Sequence, residues 1–232
     1  MTLTLTRPPS AADNSRAGVV RARPRFGVTA VLMLCGAMPV TAIPLSVLGW
    51  LPMRTAALAC VLPLALVAVA LIVRRTPEGC WARDGAVAGL VAVGAYDAVR
   101  MPLVAAGIWP DFIPRIGGWL TGEPSNTALG YTWRYLGDGA GIALAYFAFC
   151  GMVLAIRPRL VTARPVLVSV GYGVFVWTGL LATVVLPAHG EQLLFRLTPA
   201  SFALSLLGHL IYGAVLGLFL RRRLRRMTAV AT

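Results

Sequence analysis

Asp97 and Arg100 are the side chains of this sequence best placed to do chemistry, because they interrupt an otherwise apolar stretch at Tyr96-Asp97-Ala98-Val99-Arg100-Met101-Pro102. A charge at bilayer depth is costly to bury and so marks a binding site, a proton path or a packing pair. Three residues apart, the two lie on one face of a helix. An ion pair with supporting hydrogen bonds lowers the desolvation cost of either charge alone. Pro102 removes a backbone donor just beyond and can free a carbonyl at this level. The spacing admits either a polar site with a proton-handling carboxylate or an intrahelical salt bridge that fixes packing.

His209 is the third member of this expected buried polar site. It sits in a stripe at four-residue spacing, Ser205, His209, Gly213 and Gly217, whose glycines allow close approach of another helix. The imidazole either hydrogen-bonds across that contact or faces Asp97 and Arg100, where its ability to donate and accept suits a proton relay. The other histidine, His189, belongs to a loop. Helical rise puts His209 about 10 Å or more from that loop's side of the membrane, so the two are not expected to ligate one haem. No cofactor is expected.

A second set, His189, Glu191, Asp138, Glu123 and Asp111, falls on the outer side. Imidazole with carboxylates can bind a divalent metal or act as general base and acid. Their spacing matches no metal or hydrolase motif: H-E-x-x-H, paired Asp-rich segments and G-x-S-x-G are all missing from the sequence, and no metal is expected. Asp138, following Gly137, reads equally as an ordinary N-cap. Cys35, Cys60, Cys80 and Cys150 show no C-x-x-C pairing. Three of them lie in apolar runs, where a thiol packs as a small hydrophobe.

The elements that must position these groups are membrane helices. The 232 residues are 58% hydrophobic and 12% charged, with a mean hydropathy of +0.79, outside the range of soluble domains. About 20 apolar residues span a core of about 30 Å as a helix. Six stretches qualify: about 27 to 50, 55 to 73, 85 to 108, 138 to 156, 165 to 187 and 200 to 220. The expected fold is an all-α bundle of six transmembrane helices over residues 26 to 221. Pro39 and Pro44 are expected to kink the first helix and Pro63 the second. Stripes at Gly137, Gly141 and Ala145, and at Ser169, Gly173 and Trp177, are expected packing faces.

The net charge of +13 does not point to nucleic acid, because the basic residues flank apolar runs instead of forming a groove. All are arginine, in an Ala- and Gly-rich chain that reads as bacterial. Sixteen flank alternate ends of the spans: Arg7, Arg16, Arg21, Arg23, Arg25, Arg74, Arg75, Arg83, Arg157, Arg159, Arg164, Arg221, Arg222, Arg223, Arg225 and Arg226. The opposite loops hold four: Arg54, Arg115, Arg134 and Arg196. Positive loops stay in the cytoplasm, so both termini are expected inside, in an inner membrane. The apolar run after the N-terminal arginines is too long for a signal-peptide core. Residues 1 to 25 are therefore expected as a disordered cytoplasmic tail and 222 to 232 as a basic one that meets anionic headgroups. Residues 109 to 137 read as an outer loop anchored by Trp109, Trp119, Tyr131, Trp133 and Tyr135, with a short helix or lid at Arg115 to Leu120.

At Tyr96-Asp97-x-x-Arg100, at Gly137-Asp138-Gly139-Ala140-Gly141 followed by Tyr146, and at Gly208-His209-x-x-Tyr212-Gly213-x-x-x-Gly217, the chain resembles a set of uncharacterised small bacterial multi-pass membrane proteins. The resemblance spans about 85 to 220 and implies no activity. Three functions fit these residues: a small-solute or proton-coupled transporter or binding protein, a membrane enzyme acting on a lipid or isoprenoid-like substrate, and an accessory subunit of a membrane complex. The partners expected are membrane lipids and a small or lipid-like molecule.

Overall fold

Capping and proline chemistry set where the helices begin, and in two cases earlier than hydropathy alone implies. A computed structural model describes residues 25 to 231, so the expected tail, but for Arg25, lies outside the described residues. Six helices are long and apolar enough to cross a membrane: α1 (Phe26–Val47), α2 (Met53–Val73), α3 (Pro77–Ala105), α4 (Thr127–Ile156), α5 (Pro165–Val185) and α6 (Pro199–Ala231). The described residues contain no strand, and the fold is the expected all-α membrane bundle.

In α3, Thr76 Oγ1 accepts from the Gly79 amide at 3.0 Å and Pro77 occupies the first turn, so the helix starts eight residues before position 85. In α4, Asn126 Oδ1 accepts from the Leu129 amide at 3.1 Å, and the helix starts eleven residues before position 138. Asp138 is therefore inside α4 and caps nothing. Residues 127 to 137, expected in the loop, are helical, because a good cap outweighs the weak helix propensity of Gly130, Gly137 and Gly139. The connection before them holds a short helix, Ile113–Thr121, which ends on Gly122 at φ +84°. α6 runs on through Arg221 to Arg226, where the basic tail was expected to begin.

α1 stays one helix through Pro39 and Pro44. α2 takes up Pro63 with a π-helical turn, Ala57–Val61, just ahead of it. A longer π-helical segment, Trp133–Gly141, occupies the first half of α4.

α4 is the most enclosed span and α2 the least, its Leu58, Leu62 and Leu66 facing outward as lipid-exposed residues would. α1 and α3 pack on α4, and α5 packs on α6. These contacts need bare backbone. A Cβ on Gly89 would collide with the Gly139 carbonyl, and one on Gly173 with the His209 carbonyl. Where the segments run in opposite directions, the polar ends of α3 (Tyr96 onward), α4 (up to Asp138) and α6 (up to His209) meet in one half of the bundle. That half lies toward the arginine-poor loops.

Candidate functional site

The two charges of α3 are not paired with each other. Asp97 receives Arg134 of α4: Nη2 donates to Oδ1 at 2.5 Å, and Nε reaches both carboxylate oxygens at 2.9 and 3.0 Å. Both side chains are at least nine-tenths buried. Arg100, 1% exposed, turns the other way, and its Nη2 donates to Asp111 Oδ1 at 2.6 Å. Its Nη1 donates to Tyr131 Oη at 3.2 Å, and Tyr131 in turn donates to Asp111 Oδ2 at 2.9 Å. In place of the intrahelical salt bridge that the spacing also admits, two pairs reach other segments. The forked guanidinium of each arginine gains well-aligned contacts there that a partner on its own helix would not supply.

Asp111 also accepts the Ile113 amide at 3.2 Å and so fixes the start of the short helix. Burial opposes ionisation of Asp111, but Arg100 and Tyr131 outweigh it and hold its carboxyl below the ordinary carboxylate range.

Between these pairs and α5 lies a cavity of about 710 Å³. Its walls come from α1, α3, α4, α5 and α6, and are mainly apolar. Phe112, Ile113 and Ile116 of the short helix, with Leu194 and Phe195 of the α5–α6 connection, cover it on the arginine-poor side. The Phe112 and Phe195 rings approach to 5.2 Å, and Arg115 Nη1 ties the two covering segments by donating to the Gln192 and Leu193 carbonyls at 2.5 and 3.0 Å.

The polar lining is concentrated on one wall. His209 Nδ1 lies 2.7 Å from the Ser205 carbonyl, which can only accept, so Nδ1 carries the hydrogen and a neutral ring presents Nε2 as an acceptor. The His209 ring meets the Tyr96 ring edge-on at 5.6 Å, and Arg134 lies over the other ring at 4.7 Å from the Tyr96 centroid. A continuous line of contact therefore runs Asp97, Arg134, Tyr96, His209. Arg100 and His209 line the cavity themselves; Asp97 stands behind the wall and holds Arg134 in it.

Asp138 lines the same cavity. Its Oδ1 is shielded and has no hydrogen-bond partner among the described residues, as is true of Trp109 Nε1 on the same lining. Arg134 and Asp138, four apart, share one face of the π-helical segment, and such segments occur frequently at functional sites. Tyr212 Oη of α6 braces the segment by donating to the Gly139 carbonyl at 2.7 Å.

The remaining outer-side candidates do not gather. Glu123 Oε2 accepts from Thr121 Oγ1 and Asn126 Nδ2 at 3.1 and 3.3 Å, and Glu191 Oε1 accepts the Leu197 amide at 3.1 Å. His189 Nδ1 is 3.2 Å from Gln192 Oε1. These are loop-shaping contacts, and among the described residues no three His, Cys, Asp or Glu side chains stand close enough to share a metal.

Sequence reasoning placed Arg134 in a loop and missed its role. The signal was present as Arg134 and Asp138 at helical spacing, but the glycines around them read as a turn. In comparisons with family models, with curated proteins and with solved structures, nothing matches the chain.

Proposed function

We propose that this polytopic membrane protein binds, and carries across the membrane, a small apolar solute bearing a positive charge, with Asp138 as its counter-ion. The observation behind this reading is the asymmetry among the intramembrane charges. Arg134 and Arg100 are each neutralised by a carboxylate, whereas Asp138 has a shielded oxygen without a donor on a mainly apolar cavity. A carboxylate out of water is costly without a partner. A solute cation supplies that partner, and aromatic walls from Tyr96, Trp109, Tyr172 and Phe175 favour it further.

Protons compete with such a cation for the same carboxylate, so binding weakens as pH falls and transport exchanges cation for proton. The arginine-rich side is the cytoplasmic side in this reading, both termini are cytoplasmic, and the membrane is a bacterial inner membrane.

Purified protein in proteoliposomes with an imposed pH gradient tests it, with tetraphenylphosphonium and dodecyltrimethylammonium as probes. Saturable, gradient-dependent uptake is expected, falling at least tenfold in Asp138→Asn. Unchanged uptake in that variant, or no binding of either cation by the wild type, overturns the reading.

A second reading, an enzyme acting on a lipid-like substrate, is favoured by one feature. α1 and α5 both line the cavity yet barely touch, and Phe175 of α5, on the lining, is 70% exposed, which suits a lateral way in from the bilayer. A product formed by the purified protein from lipid extract, lost in Asp138→Asn, would support it in place of transport.

A further inference from the structure

A second cavity, of about 1260 Å³, opens in the other half of the bundle, among the ends of α3, α4, α5 and α6 that carry the arginines. Arg164, Arg221 and Arg225 line it, and none of their guanidinium groups makes a hydrogen bond or ion pair among the described residues. The neighbouring Arg223 is different, since it pairs with Asp84 and lies 4.0 Å over the Trp81 ring. Among the described residues, the only acidic side chain on the lining is Glu78. Its Oε1 accepts the Arg25 amide at 3.0 Å, while its Oε2 is shielded and has no donor.

Below this polar rim the wall is apolar, with Trp81, Leu154, Val166 and Val170. Along α4 the lining extends from Ala148 to Ala155, seven residue steps or about 10 Å of helix. That is about two-thirds of one leaflet of a hydrocarbon core of about 30 Å, so the apolar wall reaches well into a single leaflet.

We propose that this cavity is a binding site for one anionic phospholipid of the leaflet on the arginine-rich side, a phosphatidylglycerol. Its phosphodiester is held by Arg164, Arg221 and Arg225, its headgroup hydroxyl donates to Glu78 Oε2, and its acyl chains lie along the apolar wall. The charge balance of the lining, three arginines against one glutamate, selects an anionic headgroup over a zwitterionic one. Guanidinium groups match a phosphate geometrically as well as in charge. The unpartnered Glu78 oxygen requires a donor, which the glycerol headgroup carries and a simple phosphate ester does not. The site is separate from the Asp138 cavity and stands or falls independently of it.

The test is native mass spectrometry and thermal unfolding of the full-length protein in detergent. Matched-chain phosphatidylglycerol, phosphatidylethanolamine, phosphatidylcholine and phosphatidylmethanol are added, with water-soluble glycerol phosphate as a headgroup control. Phosphatidylglycerol is expected to be retained at least tenfold better than phosphatidylcholine and to raise the melting temperature. The combined variant Arg164→Gln, Arg221→Gln, Arg225→Gln should bring the two lipids level. Removing the same charge outside the lining, in Arg157→Gln, Arg159→Gln, Arg222→Gln, should not. Glu78→Gln should shrink the preference for phosphatidylglycerol over phosphatidylmethanol severalfold. Equal retention of phosphatidylglycerol and phosphatidylcholine by the wild type overturns the proposal without recourse to any variant. So does an equal loss in the control variant, preference for phosphatidylethanolamine, or binding of glycerol phosphate as tight as that of the lipid.

Discussion

Each buried charge in this protein is defined by its partner, and the partners make different predictions. Asp97 and Arg134 are both buried, so Asp97→Asn leaves a guanidinium out of water with one good acceptor removed. A loss of about 3 kcal/mol or more is expected, because breaking a buried pair costs more than the pair itself contributes. Equilibrium unfolding in mixed micelles measures it, and the double change Asp97→Leu with Arg134→Met should recover much of the loss. The Arg100–Asp111 pair is less enclosed, with the Asp111 side chain 23% exposed, and carries a pH signature instead. Its folded carboxyl titrates below its unfolded value, so the stabilisation is complete above about pH 4, the ordinary aspartate range. It is lost as the pH falls through the folded value. Melting temperatures of wild type and Asp111→Asn should therefore converge below that range, and a constant gap at all pH values would contradict the assignment.

Among the elements, α4 decides most. Its early start, from the Asn126 cap, moves Trp133 to Gly137 out of a loop and into the bundle. Its glycines then set how near α1 and α3 approach. Gly89→Val should cost at least about 1 to 3 kcal/mol, since the new side chain meets the Gly139 backbone, which cannot move aside as a flexible side chain would. Gly94, on the same helix, faces open space, and Gly94→Ala should stabilise α3 by up to about 1 kcal/mol through helix propensity. Thermal unfolding of the two variants should shift in opposite directions. Of the elements, the long apolar spans were legible from hydropathy, and the first helical turns were not. Asn126 is one polar residue among several, and only the amide it caps distinguishes it. The pairing of Gly89 with Gly139 was equally illegible, because a stripe of small residues shows that a helix can be approached and not which helix will do so.

Across the whole molecule, the two cavities lie on either side of a packed layer that includes Ala143, Tyr146, Phe147, Tyr212 and Leu216. Tyr146 and Ser169 close that layer between α4 and α5 with a hydrogen bond of 2.7 Å. A carrier must part such a layer, whereas an enzyme served from the bilayer need not. Moving Arg134 into α4 leaves Arg54, Arg115 and Arg196 as the arginines of the poor side, which sharpens the expected orientation. Reporter fusions at each end should both be active in the cytoplasm, and activity of either on the other side would reverse the topology.

The number of spans, the arginine asymmetry and the presence of costly ionisable groups at Asp97, Arg100 and His209 were determined by the sequence alone, because each depends on side-chain type along the chain and on the thickness of a bilayer. Which carboxylate meets which guanidinium was decided only by the tertiary structure. Asp97 and Arg134 stand 37 residues apart, and Arg100 and Asp111 stand 11 apart, across a turn between segments. That selection depends on helix contacts and on the early start of α4, which carries Arg134 into the bundle. The same packing leaves Asp138 Oδ1 without a hydrogen-bond partner among the described residues, a property of the space around it that spacing along the chain does not encode.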